Sequence, residues 1–134
     1  MKDLRSEKGA AALEFAFVAP MLALLLGGIV EVGNLAQTAI VASNAAREGA
    51  RYAAVRDTYA ATAAVNYLTS ALAGRTDVTL PSIGQVSITG GAQVGDQVTV
   101  SLPVTVTFNM PVIQKVLGGS ITLNGGAAMR VSQK

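Results

Sequence analysis

The sequence predicts an α+β fold in which a long N-terminal helix, half transmembrane and half exposed, packs on a small antiparallel sheet of about three strands. Three observations lead to this prediction. No charged residue occurs from Phe15 to Val30, residues 32–72 are rich in alanine without any proline, and residues 97–108 place an apolar side chain at every second position. These changes of period divide the chain into a charged cytoplasmic leader, a transmembrane helix, an exposed helical stem and a small antiparallel β domain, at residues 1–9, 10–31, 32–74 and 75–134.

The transmembrane assignment of residues 10–31 rests on length and on flanking charge. The apolar part from Ala10 to Val30 rises about 31 Å as a helix, which matches a hydrocarbon core of about 30 Å. Basic residues precede it, and the next one after it is Arg47; the preceding ones are Lys2, Arg5 and Lys8. By the positive-inside rule, a single-pass protein of this pattern has a cytoplasmic N-terminus and a C-terminal domain on the opposite side of the membrane.

Glu14 helps to distinguish three possible roles of this helix. A carboxylate in an apolar span costs roughly 2.5–3.5 kcal/mol on insertion scales, so its presence needs an explanation. A secretory signal peptide needs small residues before a cleavage site that follows the apolar run, and that pattern is missing here. A plain membrane anchor explains the length and orientation but leaves Glu14 unexplained. The third interpretation is a cut after Gly9, which keeps the helix and creates an ammonium group on Ala10.

In a bundle of such helices, the Glu14 carboxylate can pair with the Ala10 ammonium of a neighbouring chain, and this pairing stabilises both buried ions. Gly9, Ala10 and Glu14 are therefore the candidate processing residues. Glu14 is also a candidate for assembly by helix packing, together with a stripe of small residues spaced by four, Ala19, Ala23 and Gly27. Such stripes let membrane helices approach closely, although chance in an alanine- and glycine-rich segment produces them too.

The stem is predicted as one helix from Val32 to about Leu72, with Asp57-Thr58 as the place where it would break and Gly74 as its C-cap. One turn of this stem is charged, at Arg47, Glu48 and Arg51. We interpret this cluster as a docking patch for a partner subunit just beyond the membrane. The alternative is a solvated helix face, since a helical pair of this kind contributes only about 0.2–0.5 kcal/mol.

The β domain is predicted as an antiparallel meander with strands at Val86–Thr89, Gln97–Phe108 and Ile121–Val131. Pro103 predicts an edge strand or a bulge at that point, and Gly125-Gly126 predicts a bulge in the last strand. Between the last two strands, Met110–Leu117 predicts a short apolar helix that starts at Pro111. This helix is either a lid over the end of the sheet or a patch that contacts a partner or the membrane.

The composition argues against catalysis and against several classes of ligand. Histidine and cysteine are absent, which removes disulfides, thiol nucleophiles, the usual zinc ligands and the commonest general base. The basic residues are scattered, the net charge is +2 and only 4% of residues are aromatic, unlike a nucleic-acid-binding surface. We therefore expect no catalytic residue, metal, cofactor, small-molecule substrate or nucleic-acid partner.

Several stretches of the chain resemble the TadE-like pseudopilins of tight-adherence (Flp-type) pili, which are related to type IV pili. The close matches are Lys8–Pro20, Gly28–Gly33 and Asn44–Ala54, and the strand Val98–Phe108 and the ending 127–131 are looser ones. The resemblance implies a pilin-like fold, cleavage after Gly9 by a prepilin peptidase, and a role for Glu14 in processing or assembly.

The same resemblance implies a minor, pilin-like role in the assembly of an adhesive pilus, since the chain is longer than the major Flp pilins. The implied partners are other pilins and pseudopilins, the inner-membrane assembly platform, the prepilin peptidase and the lipid bilayer. The implied location is the bacterial inner membrane, with the C-terminal domain in the periplasm and incorporation into a surface pilus as a further option. The alternative function is a single-pass inner-membrane anchor that presents a small periplasmic binding module.

Overall fold

The computed structural model describes residues 3–132, and it describes side chains from residue 9 onward. The predicted α+β class is confirmed. The elements in chain order are α1 (Asp3–Ala54), α2 (Ala60–Ala71), β1 (Val78–Thr79), a 3-10 turn (Ile83–Gln85), β2 (Ser87–Gly90), β3 (Gln97–Thr107), α3 (Pro111–Leu117) and β4 (Ser120–Arg130). Part of the predicted leader, residues 1 and 2, lies outside the described residues, as do residues 133 and 134.

Helix α1 runs without interruption for 52 residues and passes through Pro20. It ends at Ala54, where Arg56 takes a left-handed conformation with φ of +57°. The Asp57 carboxylate then accepts a hydrogen bond of 2.9 Å from the backbone N–H of Tyr59, just before α2. The break expected near Asp57-Thr58 is thus confirmed, and it folds α2 back against α1.

Strand β3 lies at the centre of the sheet. It pairs antiparallel with β4 along its whole length, from Gln97↔Arg130 to Thr107↔Ser120. On its other edge it pairs first with β2 and then with β1, so the sheet has four strands instead of the predicted three. The meander of β2, β3 and β4 agrees with the prediction, whereas the two-residue β1 is too short to show a period in the sequence.

The edge-strand prediction from Pro103 was wrong, and the sheet topology explains why the proline is tolerated. Pro103 is opposite Asn124 on β4, and on the other edge it falls between the residues paired with β2 and those paired with β1. A proline has no N–H to donate, and at this position no strand of that edge requires one. The predicted bulge at Gly125-Gly126 was also wrong, since the β3–β4 register continues through both glycines.

The core lies between the inner face of the sheet and the helices. Five apolar side chains of β3 are almost fully buried there, at Val98, Val100, Leu102, Val104 and Val106. Each buried side chain of this size contributes roughly 1.5–3 kcal/mol relative to an exposed one. Leu102 and Val104 pack with alanines of the helices such as Ala42 and Ala64. Val98 and Val100 pack in the same way with Ala50 and Ala60.

Two glycines set the closest approaches in this core. A Cβ atom on Gly49 of α1 would lie 3.1 Å from the carbonyl oxygen of Ala60 and from the Cβ of Ala64 on α2. A Cβ atom on Gly125 of β4 would overlap the backbone carbonyl of Ala42 on α1. The helix therefore lies almost directly on the backbone of β4.

Candidate functional site

The N-terminal part of α1 extends beyond the β domain and exposes its apolar side chains. The segment Gly9–Ala54 is long and apolar enough to cross a membrane, and little of its most apolar stretch is buried by the rest of the chain. Phe15, Phe17 and Met21 are all largely exposed. Exposed apolar surface of this extent indicates contact with lipid or with other helices.

The candidate processing residues lie together on this exposed part of α1. Gly9 and Ala10 are exposed, and the space around Gly9 is open. Glu14 is exposed one helical turn after Ala10 and makes no ion pair with any residue from 9 to 132. The geometry presents a carboxylate on the helix surface, where a second chain can reach it.

The small-residue stripe is exposed over part of its length, and its C-terminal end contacts another part of the same chain. Ala23 is exposed and Ala19 is half-buried. Gly27 is in contact with the side chain of Met110, which lies so close that a Cβ atom on Gly27 would overlap the methionine sulfur. The C-terminal end of the stripe is thus occupied within the chain, a role that the sequence did not reveal.

Glu31 is the most informative residue that the sequence analysis missed. Its side chain is only 4% exposed. Its Oε1 atom accepts hydrogen bonds from the backbone N–H groups of Asn109 (2.6 Å) and Met110 (2.9 Å). A signal in the sequence was the position of Glu31, a second carboxylate directly at the end of the apolar run. Glu31 therefore ties the start of α3 to the end of the span.

Helix α3 and α1 enclose an apolar groove of about 380 Å³. Gln114 of α3 holds the segment that precedes the helix, because its Nε2 atom donates a 2.5 Å hydrogen bond to the carbonyl of Phe108. Gly118 ends the helix in the left-handed region with φ of +88°. The residues that line the groove are Leu24, Gly28, Glu31, Val32, Leu35, Phe108, Val112, Ile113, Val116 and Leu117.

The charged cluster on the stem is held in a defined arrangement. Two hydrogen bonds join Arg51 to Glu48, from Nη2 to Oε1 at 2.6 Å and from Nε to Oε2 at 3.2 Å. These bonds hold the pKa of the Glu48 carboxyl below its usual value and raise the pKa of Arg51. The Arg51 guanidinium also lies 4.9 Å from the ring centroid of Tyr52. Arg47 is exposed beside this pair and makes no ion pair among residues 9–132.

A second ion pair, absent from the sequence analysis, joins Arg75 and Asp77 in the loop between α2 and β1. The hydrogen bond from Arg75 lowers the pKa of the Asp77 carboxyl. Arg75 also reaches the Gln37 side chain on α1 at 3.4 Å, and the Asp77 carbonyl accepts a bond from the N–H of Thr107 on β3. This pair fastens the loop to the stem.

Replacing Glu31 with leucine is expected to loosen α3 from α1, because two backbone N–H groups lose their acceptor at a cost of about 2 kcal/mol. Glu31→Gln retains an oxygen at the same place and should lose much less. Limited proteolysis of residues 108–118 in detergent micelles measures the loosening directly. Equal protection in the wild type and in Glu31→Leu would show that this hydrogen bonding does not hold α3.

Comparison with known proteins agrees with the resemblance seen in the sequence. The model of a family described as "TadE-like protein" matches residues 9–51. No curated protein and no solved structure matches the chain significantly. The family indicates involvement in Tad pilus assembly, in the context of other pilus components. The matched segment begins at Gly9, includes Glu14 and the small-residue stripe, and ends at Arg51. Residues 9–51 of this chain therefore carry the TadE-like family match that the sequence resemblance predicted.

Proposed function

We propose that this chain is a minor pseudopilin that acts in the assembly of a tight-adherence pilus after a prepilin peptidase cuts it following Gly9. The observation that carries the proposal is the family match over residues 9–51, on a helix that exposes both Glu14 and an apolar surface. The role is structural and needs no catalytic residue. Its partners are other pilins and pseudopilins, the assembly platform of the inner membrane and the surrounding lipid.

The cut changes the charge at the start of the helix. Removal of residues 1–9 takes away the basic leader and leaves an ammonium group on Ala10, about 6 Å along the axis from Glu14. A lone carboxylate in an apolar surrounding is unstable, whereas a carboxylate paired with an ammonium group is stabilised by their attraction. Pairing between Glu14 of one chain and Ala10 of its neighbour therefore favours lateral association only after cleavage.

Glu14 and the small-residue stripe point to different neighbours. At 100° per residue, Ala19 lies about 140° around the helix from Glu14. One helix can therefore form its ion pair with one neighbour and its close alanine contact with another. Two distinct contact faces on each helix are what a subunit needs to join a growing bundle. The charged cluster at Arg47, Glu48 and Arg51 then supplies a polar contact above the membrane.

Mass measurement of the intact mature protein tests the proposal. When the full chain is produced in cells with an active prepilin peptidase, we expect the mature N-terminus to be Ala10. Gly9→Leu places a bulky side chain at the cleavage site and should leave the leader in place. Gly33→Leu is the matched control, because it introduces the same side chain, the space around Gly33 is also open and Gly33 lies far from the site. A wild-type protein that retains Met1 in such cells would rule the proposal out.

A further inference from the structure

Helix α3 lies at a depth that two contacts with α1 determine. Met110, at the start of α3, packs on Gly27, and the N–H groups of Asn109 and Met110 bind Glu31. Glu31 is the last residue of the segment assigned to the membrane, and Gly27 lies about 6 Å further in along the helix axis. The start of α3 is therefore level with the outer end of the span.

The outward side of α3 is apolar at this depth. Val116 is 76% exposed and Leu117 is 62% exposed, and Val112 is also exposed. The groove beneath them continues onto Leu24 and Gly28 of α1, which belong to the span itself. The apolar surface of α3 is thus continuous with the surface that faces lipid. In water this surface would remain unfavourably hydrated.

We propose that α3 lies in the outer interface of the bilayer that α1 spans, with Val116 and Leu117 in the acyl region and lipid chains in the groove. Amphipathic helices at an interface bury their apolar face about 5–10 Å deep, which matches the depth set by Gly27 and Glu31. Lys115, the basic residue of the last turn, has a stem long enough to bring its ammonium group to the lipid headgroups. The water-soluble domain of another protein cannot reach a groove that extends to Leu24, inside the span.

Single tryptophans test this arrangement, since the chain contains none. The full chain is reconstituted in vesicles of phosphatidylethanolamine and phosphatidylglycerol, some carrying bromine near the top of the acyl chain as a quencher. The probe is Leu117→Trp. The reference in the span is Ile29→Trp, at a side chain that is 61% exposed, and the reference in water is Tyr59→Trp, at one that is 60% exposed. The end of α1 lies about 34 Å beyond Glu31 along the helix axis, and Tyr59 follows that end.

We expect the brominated lipid to quench Leu117→Trp about as strongly as Ile29→Trp and several-fold more than Tyr59→Trp. If Leu117→Trp is quenched no more than Tyr59→Trp while Ile29→Trp is quenched strongly, α3 lies in water. That result would overturn the inference but not the membrane span. If Leu117→Trp is protected from the brominated lipid only at a high protein-to-lipid ratio, a second copy of the chain occupies the groove. That result would also overturn the inference. The inference rests on the membrane span, so an unquenched Ile29→Trp would overturn it together with the proposed membrane location.

Tryptophan itself prefers membrane interfaces and can draw α3 towards the bilayer. A second measurement therefore uses cysteine in place of tryptophan. The chain has no cysteine, so Val116→Cys and Tyr59→Cys each provide one thiol. A water-soluble maleimide should label Val116→Cys several-fold more slowly than Tyr59→Cys in vesicles, and equally fast after both are unfolded in denaturant. Equal rates in vesicles would place α3 in water and contradict the proposal.

Discussion

Replacing Glu14 with leucine is expected to leave the chain folded and membrane-inserted but to abolish its function in pilus assembly. The substitution removes the carboxylate that we pair with the Ala10 ammonium of a neighbour, and an unpaired ammonium group in the bilayer is strongly unfavourable. Insertion itself should improve, because a charged residue in the span costs roughly 2.5–3.5 kcal/mol. Counting surface pili in cells that carry only the variant measures the result.

Glu14→Asp is the matched control, since it keeps the charge but shortens the side chain, and it should retain part of the activity. Glu14→Gln keeps the size without the charge and should behave like the leucine variant. Full pilus assembly with Glu14→Leu would contradict the ion pair and would favour the alternative function, an anchor that presents a binding module. Membrane fractionation of each variant separates failed assembly from failed insertion.

Gly125→Ala is expected to destabilise the β domain strongly. Its Cβ would overlap the carbonyl of Ala42, and neither backbone can move without separating α1 from β4. Overpacking typically costs 1–3 kcal/mol, and a clash between two backbones should reach about 3 kcal/mol. In a domain of this size, that corresponds to a melting temperature lower by more than about 10 °C. Thermal unfolding in detergent, followed by protease resistance, measures the shift.

The next residue supplies the control. Gly126 belongs to the same strand, also lacks a positive φ, and has no atom within 4 Å of a Cβ placed on it. Gly126→Ala should therefore leave stability unchanged or raise it slightly, because alanine restricts the unfolded chain more than glycine does. Equal losses for the two variants would mean that the helix does not lie on β4 as described.

The main elements could be predicted because their periods are strong. The alternation from Val98 to Val106 predicts one buried face, and those residues are indeed the centre of the core. The apolar run and the alanine-rich stem predict the helix, and Pro111 marks the start of α3. Each of these signals is local, so a single sequence contains it in full.

The contacts between distant parts of the chain could not be predicted. Glu31 looked like a charge that limits the span, yet it binds backbone groups nearly eighty residues away. Gly27 looked like a surface for another helix, yet Met110 covers it. Pro103 suggested an edge because the sequence does not show that β1 and β2 leave its position free. Tertiary packing decides these cases, and local preference does not.

The continuity of α1 has a mechanical consequence. The same helix, about 78 Å long, runs through the span and then supplies Ala42, Ala45 and Ala46 to the core. A helix without an intervening loop transmits both axial displacement and rotation, because its hydrogen bonds resist stretching and twisting. A displacement of the span along the membrane normal therefore lifts the whole β domain by the same distance, and a rotation of the span about the helix axis turns the domain through the same angle. Translation of the span must also withdraw α3 in step, since Glu31 and Gly27 couple the two.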